Sequence, residues 1–310
     1  MEQKRYDLIV VGGGPAGCTA ALYAARAGFS VLVLEKQAMG GQMATTSNVE
    51  NYPGFERGID GWALAEKMAA GAARFGAQTA YDEVTGLELA AQPKVVHTSG
   101  GDLLAGAVVF AAGASPRLLG LPEEQELLGR GVAYCATCDG MFYKGRAVAV
   151  VGGGNSAAED ALYLAKLCSK VYLVHRRGEL RADRTYRQAL QKAANVELVL
   201  NSRPTRILHE ETVTGLQVED TATGQTRELA CSGVFVAVGR VPDTALVRGQ
   251  VELDAQGYVA AGESTRTSLP GVFAAGDVRA KPLRQIATAI ADGAVAAKYA
   301  AEYLDGLAGG

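Results

Sequence analysis

The apolar positions of this chain fall into one pattern that is written twice. Val10–Glu35 reads VVGGGPAGCTAALYAARAGFSVLVLE, and Val150–His175 reads VVGGGNSAAEDALYLAKLCSKVYLVH. In each, a short β-branched run leads into glycines, then an Ala/Leu-rich helical segment, then a second apolar run. The offset is constant at 140 residues, 150 − 10 and 175 − 35. Strand, glycine turn, helix and strand make a βαβ unit of the dinucleotide-binding kind. Three further apolar runs, Val108–Ala114 (VVFAAGA), Val234–Gly239 and Gly271–Asp277 (GVFAAGD), predict strands that run into glycine, and Arg284–Ala300 predicts an Ala-rich helix.

The glycines of the repeat have separate tasks. Gly12 permits the tight turn, Gly14 lets the backbone approach a pyrophosphate, and Gly17 allows the helix to pack closely on the strand. Gly152, Gly154 and Ala157 take the same places in the second copy. Each helix start then offers free N–H groups and a positive dipole end to phosphates. The two copies differ where the second strand ends. Glu35 is placed to accept hydrogen bonds from an adenosine ribose. The second copy has His175, followed by Arg176 and Arg177, with Arg181 one turn further. A carboxylate there would repel a 2′-phosphate, whereas guanidinium groups pair with it bidentately. Copy one therefore suits FAD or NAD, and copy two suits NADP. Two nicotinamides would leave no chemistry between them, while a flavin takes a hydride and passes electrons on, so FAD beside NADPH is the working pair.

Composition narrows the chemistry further. The 310 residues are enough for two domains. A formal charge of −3 gives no basic footprint for nucleic acid. Lys4 and Arg5 precede an apolar stretch, but Gly12, Gly13, Gly14 and Pro15 interrupt it, so no signal peptide is expected. No membrane span is expected either, since no run of about 18 apolar residues occurs. The expected compartment is the cytoplasm. Of five cysteines, Cys18, Cys168 and Cys231 read as small buried hydrophobes, Cys18 and Cys168 within helix-like segments. Cys135-Ala136-Thr137-Cys138 is different: two thiols two residues apart can close a small disulfide and attack each other's mixed disulfides. A zinc ribbon would need a second pair, so no metal is expected. Asp139 follows directly; it serves either as an acid beside the thiols or as a turn residue before Gly140.

Taken in order, GGGPAG, ENYPG, CATCDG, GGGNSA, HRRGELRA, a VG-x-x-P segment, AGD and RQ make the chain resemble the low-molecular-weight thioredoxin reductases over nearly its whole length. The resemblance implies an α/β fold of two Rossmann-like dinucleotide-binding domains, the NADPH domain inserted into the FAD domain. Residues 1–115 and 244–310 would form the FAD domain, and residues 116–243 the NADPH domain carrying the redox pair. It implies that Cys135 and Cys138 are the redox disulfide, that Asp139 is the proton donor, and that His175, Arg176, Arg177 and Arg181 hold the NADPH phosphate beside Gly154, Asn155 and Ser156. Around FAD it implies Gly12, Gly14, Pro15, Ala16, Gly17, Glu35, Lys36, Gly41, Gln42, Asn51, Val84, Ala112, Gly113, Gly276, Asp277, Arg284, Gln285 and Ile286. Asp277 read locally would equally cap the helix that follows. The partner implied is a thioredoxin or thioredoxin-like protein, and the assembly a homodimer. The redox pair and both nucleotides must meet, so two orientations of the NADPH domain are expected, pivoting near Ser115–Arg117 and Val241–Ala245. This sequence departs from the family's usual residues at Ala112 (Thr), Asp243 (Asn), Leu283 (aromatic) and Ala291 (Gly). Two other readings are a same-fold reductase of a peroxiredoxin-system partner and a nucleotide-binding redox sensor. The first would carry an extra thioredoxin-like N-terminal region, not expected when the glycine motif starts at residue 12.

Overall fold

The computed structural model describes residues 4–46 and 48–308. Residues 1–3, Ser47 and residues 309–310 of the expected domain spans lie outside the described residues. The chain divides into two units, Met1–Ser115 with Val241–Gly310, and Pro116–Arg240. In chain order the first unit begins with β1 (Arg5–Val11), α1 (Pro15–Arg26), β2 (Val31–Glu35), α2 (Gly61–Ala73), β3 (Gln78–Tyr81), β4 (Val84–Glu88), β5 (Lys94–Thr98), β6 (Gly101–Phe110) and β7 (Ala114–Pro116). The second holds β8 (Val132–Ala133), α3 (Ala136–Asp139), β9 (Ala147–Val151), α4 (Asn155–Ala165), β10 (Lys170–Val174), α5 (Arg184–Lys192), β11 (Val196–Val199), β12 (Ser202–His209), β13 (Val213–Asp220), β14 (Thr226–Ala230) and β15 (Gly233–Val236). The chain returns through β16 (Arg240–Pro242) to β17 (Val272–Ala274) and α6 (Ile286–Ala308).

In the first unit β3, β2, β1, β6 and β17 lie side by side, all parallel. The front half of β6 also pairs with the antiparallel β4–β5 hairpin. Both faces of the parallel sheet are covered, which is why its strands read as unbroken apolar runs. Leu8, Val10, Val31, Val33 and Val109 face α1 and α6. Ile9, Val11, Leu32, Leu34 and Phe110 face Leu87 and Val96 of the hairpin and Val247, Val251 and Val259 of the returning chain. Leu8, Ile9 and Val10 are fully covered, and each side chain contributes on the order of 1.5–3 kcal/mol by leaving water.

The second unit repeats the plan, with a parallel sheet in the order β11, β10, β9, β15, β8. The 140-residue offset holds down to the register. Val10 pairs with Val33 and Val150 with Leu173, and the amides of Gly12 and Gly152 donate to Leu34 and Val174. Helices cover one face of this sheet, and the antiparallel layer β12–β13–β14 contributes Ile207, Leu216, Val218 and Leu229 to the other. The expected pivots are not plain loops: β7 and β16 pair as a two-stranded ladder at the unit boundary. Cys168 stands three residues past the end of α4 rather than within it. Among the described residues no helix is long and apolar enough to cross a membrane.

Candidate active site

In the first unit the glycine loop is shaped by what lies behind it. Gly12 has φ +104°, and a Cβ there would strike the Ala111 carbonyl. A Cβ on Gly17 would overlap the Gly12 carbonyl, so α1 sits as close to β1 as backbone allows. Gly14 has open space where a Cβ would stand, and no side chain caps α1. Pro15 and Ala16 continue the turn. The first-turn amides are thus left for an anion, and the cradle fits a dinucleotide phosphate. Glu35 closes the end of β2: its Oε2 accepts from the Gly13 amide at 2.8 Å and its Oε1 from Gln37 at 3.1 Å. A carboxylate has further lone pairs, so a ribose hydroxyl can still be accepted.

Other expected residues contact this loop or one another. Gly40 donates its amide to the Gly13 carbonyl, and a Cβ on Gly41 would stand 3.6 Å from the Gly14 Cα. Gln42 donates to the Ala114 carbonyl, just past Ala112 and Gly113. Asn51 bonds Gln285 at 3.0 Å. A Cβ on Gly276 would stand 2.9 Å from the Ala16 methyl. Arg284 lies over the Tyr258 ring at 3.9 Å and donates to the Asp277 carbonyl at 3.4 Å. Asp277 caps no long helix; it lies in a 3-10 turn, and α6 begins only at Ile286, after Arg284 and Gln285. Ile286 packs in a small cluster with Met43, Val49 and Leu64. Lys36 is exposed beyond β2, and Val84 starts β4 against the far face of the sheet.

The second unit has the same loop with different furniture. A Cβ on Gly152 would meet the Ala237 carbonyl and the Ala157 methyl, so the glycine at 152 is what makes an alanine at 157 possible. Gly154 again has open space, and α4 again has no side-chain cap, so this loop also fits a phosphate. The basic segment is stitched beside it: the amides of Arg181 and Ala182 both donate to the Gly153 carbonyl, at 2.7 and 3.1 Å. Arg176, Arg177 and Arg181 are exposed, as is Ser156. His175 is placed differently from the arginines that follow it. It is 6% exposed, and its ring occupies the place a Cβ on Gly153 would take. Burial, then the charges of Arg181, Arg177 and Arg176, hold its pKa below the ordinary value. The ring packs on the glycine loop, while Arg176, Arg177 and Arg181 stand exposed beside it as candidates to pair with a phosphate.

Cys135 and Cys138 are joined as a disulfide across α3, with Cα atoms 5.3 Å apart. The other three thiols are buried and held protonated: burial pushes Cys18 and Cys231 up to about 12 and Cys168 to about 11. Asp139 ends α3, half-buried, and loss of solvent pushes its carboxyl up to about 6. That is the property a proton donor beside a leaving thiolate needs near neutral pH. Gly140 lets this segment lie on α4, since a Cβ there would stand 3.0 Å from Leu164.

Residues 6–293 match the model of the pyridine nucleotide-disulphide oxidoreductases. The chain belongs to that family. Among curated members of the pyridine nucleotide-disulphide oxidoreductase family it is 44% identical to the thioredoxin reductase of Treponema pallidum, over 97% of this chain and 98% of that one. It is 45% identical to the bifunctional thioredoxin reductase/thioredoxin of Mycobacterium leprae, over 98% of this chain and 67% of that longer one. The crystal structure of thioredoxin reductase from Streptococcus pyogenes superimposes with a TM-score of 0.91 at 41% identity, covering 98% of this chain and all of that one. Two supporting residues of this family member carry no motif. Glu124, 1% exposed, accepts from the amides of Leu119 and Gly120 at 2.9 Å and from Tyr134 at 2.8 Å, anchoring the residue before Cys135. Asp183 exchanges two 2.8 Å hydrogen bonds with Asn155, tying the start of α5 to the glycine loop.

Proposed function

We propose that this chain is an NADPH-dependent thioredoxin-disulfide reductase, with FAD held by the first unit, NADPH by the second, and the Cys135–Cys138 disulfide as the relay. The observation that carries the reading is the closed disulfide with the desolvated Asp139 at its end, in the unit that also holds the arginine-flanked glycine loop. Bound FAD would take the hydride of NADPH and supply the electron pair that opens the disulfide. This chain's residues do the rest. Asp139 gives a proton to one departing sulfur, and the other thiolate attacks the partner's disulfide. The mixed disulfide so formed is resolved by the second cysteine once deprotonated, which closes Cys135–Cys138 again and releases the partner as a dithiol. Electrons and protons balance as NADPH plus one proton for one disulfide reduced.

A thioredoxin as partner is supported by the names of the relatives and by the Mycobacterium leprae protein, which is described as both activities in one chain. A homodimer is supported by the resemblance to low-molecular-weight reductases, and a cytoplasmic setting by a redox pair that must be turned over by NADPH. The deciding experiment is the visible spectrum of the purified protein, followed by titration with NADPH against NADH. A yellow protein bleached by NADPH is expected. Replacing Cys135 and Cys138 by Ser should leave that bleaching intact and abolish disulfide reduction. A colourless preparation that FAD cannot restore would overturn the reading.

A further inference from the structure

A buried ionic cluster lies behind the first unit's cradle, among residues that no motif marks. Asp292 of α6 and Arg279 are each 5% exposed, and the Lys281 side chain is equally covered. Asp292 Oδ2 accepts from the Gly276 amide at 2.9 Å, from Arg279 Nε at 2.9 Å and from Lys281 Nζ at 2.6 Å. Its Oδ1 accepts from Arg279 Nη2 at 2.7 Å. Arg279 Nη1 also donates to the carbonyls of Ala261 and Ala280. Buried ion pairs of this kind add little net stability over apolar residues of similar volume. The cluster's position in the fold offers another reason for it.

Gly276 has φ +79°, and its missing side chain is what lets the Gly276–Asp277 turn lie on Ala16, in the first turn of α1. Gly293, the neighbour of Asp292, does the same for the helix: a Cβ there would strike the Ala16 carbonyl and crowd Thr19. Asp292 therefore stands where α6, the Gly276–Asp277 turn and the start of α1 meet. From the other side, Arg284 braced on Tyr258 holds the Asp277 carbonyl.

We propose that Asp292 is a positioning residue of the flavin site: its carboxylate holds the Gly276 amide, so that the Gly276–Asp277 turn is set against the first turn of α1 before the nucleotide arrives. The inference rests on the FAD reading above. Asp292→Asn places an N–H among donors and breaks the hub, and should speed FAD release from the full-chain protein by about tenfold or more. Release is followed by the rise in flavin fluorescence. Asp292→Glu keeps the charge balance but moves the acceptor by one methylene; it should fold and show the same fast release. Lys281→Met, which leaves the Gly276 bond in place, should release FAD within about twofold of the parent. Amide hydrogen exchange in the unaltered chain is the arm that needs no variant: the Gly276 amide should be protected with and without FAD. Free exchange of that amide in the absence of FAD overturns the proposal. So does parental release from Asp292→Glu, or release from Lys281→Met as fast as from the Asp292 variants. A parent chain that binds no FAD while Gly276 stays protected would instead count against the flavin reading.

Discussion

Loss of solvent pushes the Asp139 carboxyl up to about 6, so its protonated fraction falls as pH rises through about 6. A step that draws a proton from it must slow over the same window. Asp160 on α4 complicates the test, since burial, helped by Glu159, pushes it up to about 6 as well. Asp139→Asn should lower disulfide turnover by about a hundredfold or more and erase the inflection near pH 6, while Asp160→Asn should keep that inflection. Stopped-flow traces of thiol formation across pH 5–8 read both. If the inflection follows Asp160, the proton comes from α4. The arginines give a second test. Arg181→Ala should raise KM for NADPH by on the order of tenfold and leave NADH unchanged, since a charge-assisted bond to the 2′-phosphate is lost and NADH has none. His175→Ala, by contrast, should disturb both coenzymes alike through the loop it packs on. The repeat makes the strand ends legible in the sequence, because one offset carries Glu35 onto His175, with Arg176 and Arg177 directly after it. At His175 the same position holds a buried ring whose pKa is lowered by burial and by the neighbouring arginines. Asp292 and Asp183 are not legible at all, since each acts on a backbone or side chain 16 or 28 residues away, with no local spacing to betray it.

At the scale of elements the two βαβ units carry most of what could be read. Their strands are apolar on both faces, and each loop has glycine where backbone must pass backbone. At their equivalent third positions the two loops differ, so reverse substitutions there carry different costs. Gly17→Ala would drive a methyl into the Gly12 carbonyl, so α1 must back away from β1. Loss of FAD on purification and a destabilisation of about 1–3 kcal/mol are expected, measured by flavin content and urea unfolding. Ala157→Gly removes a methyl that the second loop accommodates, and should cost only about 1 kcal/mol of helix propensity with NADPH binding retained. Equal effects from the two would mean that the Gly12 carbonyl does not exclude a methyl at position 17. The β12–β14 layer escapes the sequence for a physical reason: register shifts at Pro204/Arg206 and Leu208/His209 break the alternation of buried and exposed residues. The start of α6 was legible only to within a turn. Gln285 donates its amide to Thr288 and accepts from Ala289, so the helix opens at Ile286 and leaves Arg284 outside it.

The whole molecule poses a problem of access. The second unit is assigned both the nicotinamide and the disulfide, and the first the flavin that must serve each in turn. The chain crosses between units twice, and both crossings lie in paired strands, β7 and β16. On the side of the first unit Ser115 donates to Asp243 at 3.0 Å and the Asp243 amide donates to the Gly113 carbonyl; on the other side the Arg117 amide donates to Gly239. If the units turn against each other as expected, two crossings held side by side would give that motion one common axis rather than two independent tethers. A reversible covalent tether between the units should therefore spare one half-reaction and stop the cycle. Either NADPH still bleaches the flavin and the partner is not reduced, or electrons pass from flavin to disulfide and NADPH no longer delivers them. Turnover should fall by more than about tenfold and return when the tether is cleaved. Relaxing the clasp with Ser115→Ala should alter the rate of exchange between the two half-reactions without touching either one measured alone. Full turnover in the tethered protein would mean that a single arrangement brings nicotinamide and disulfide to the flavin together, and the axis through β7 and β16 would then have no catalytic purpose.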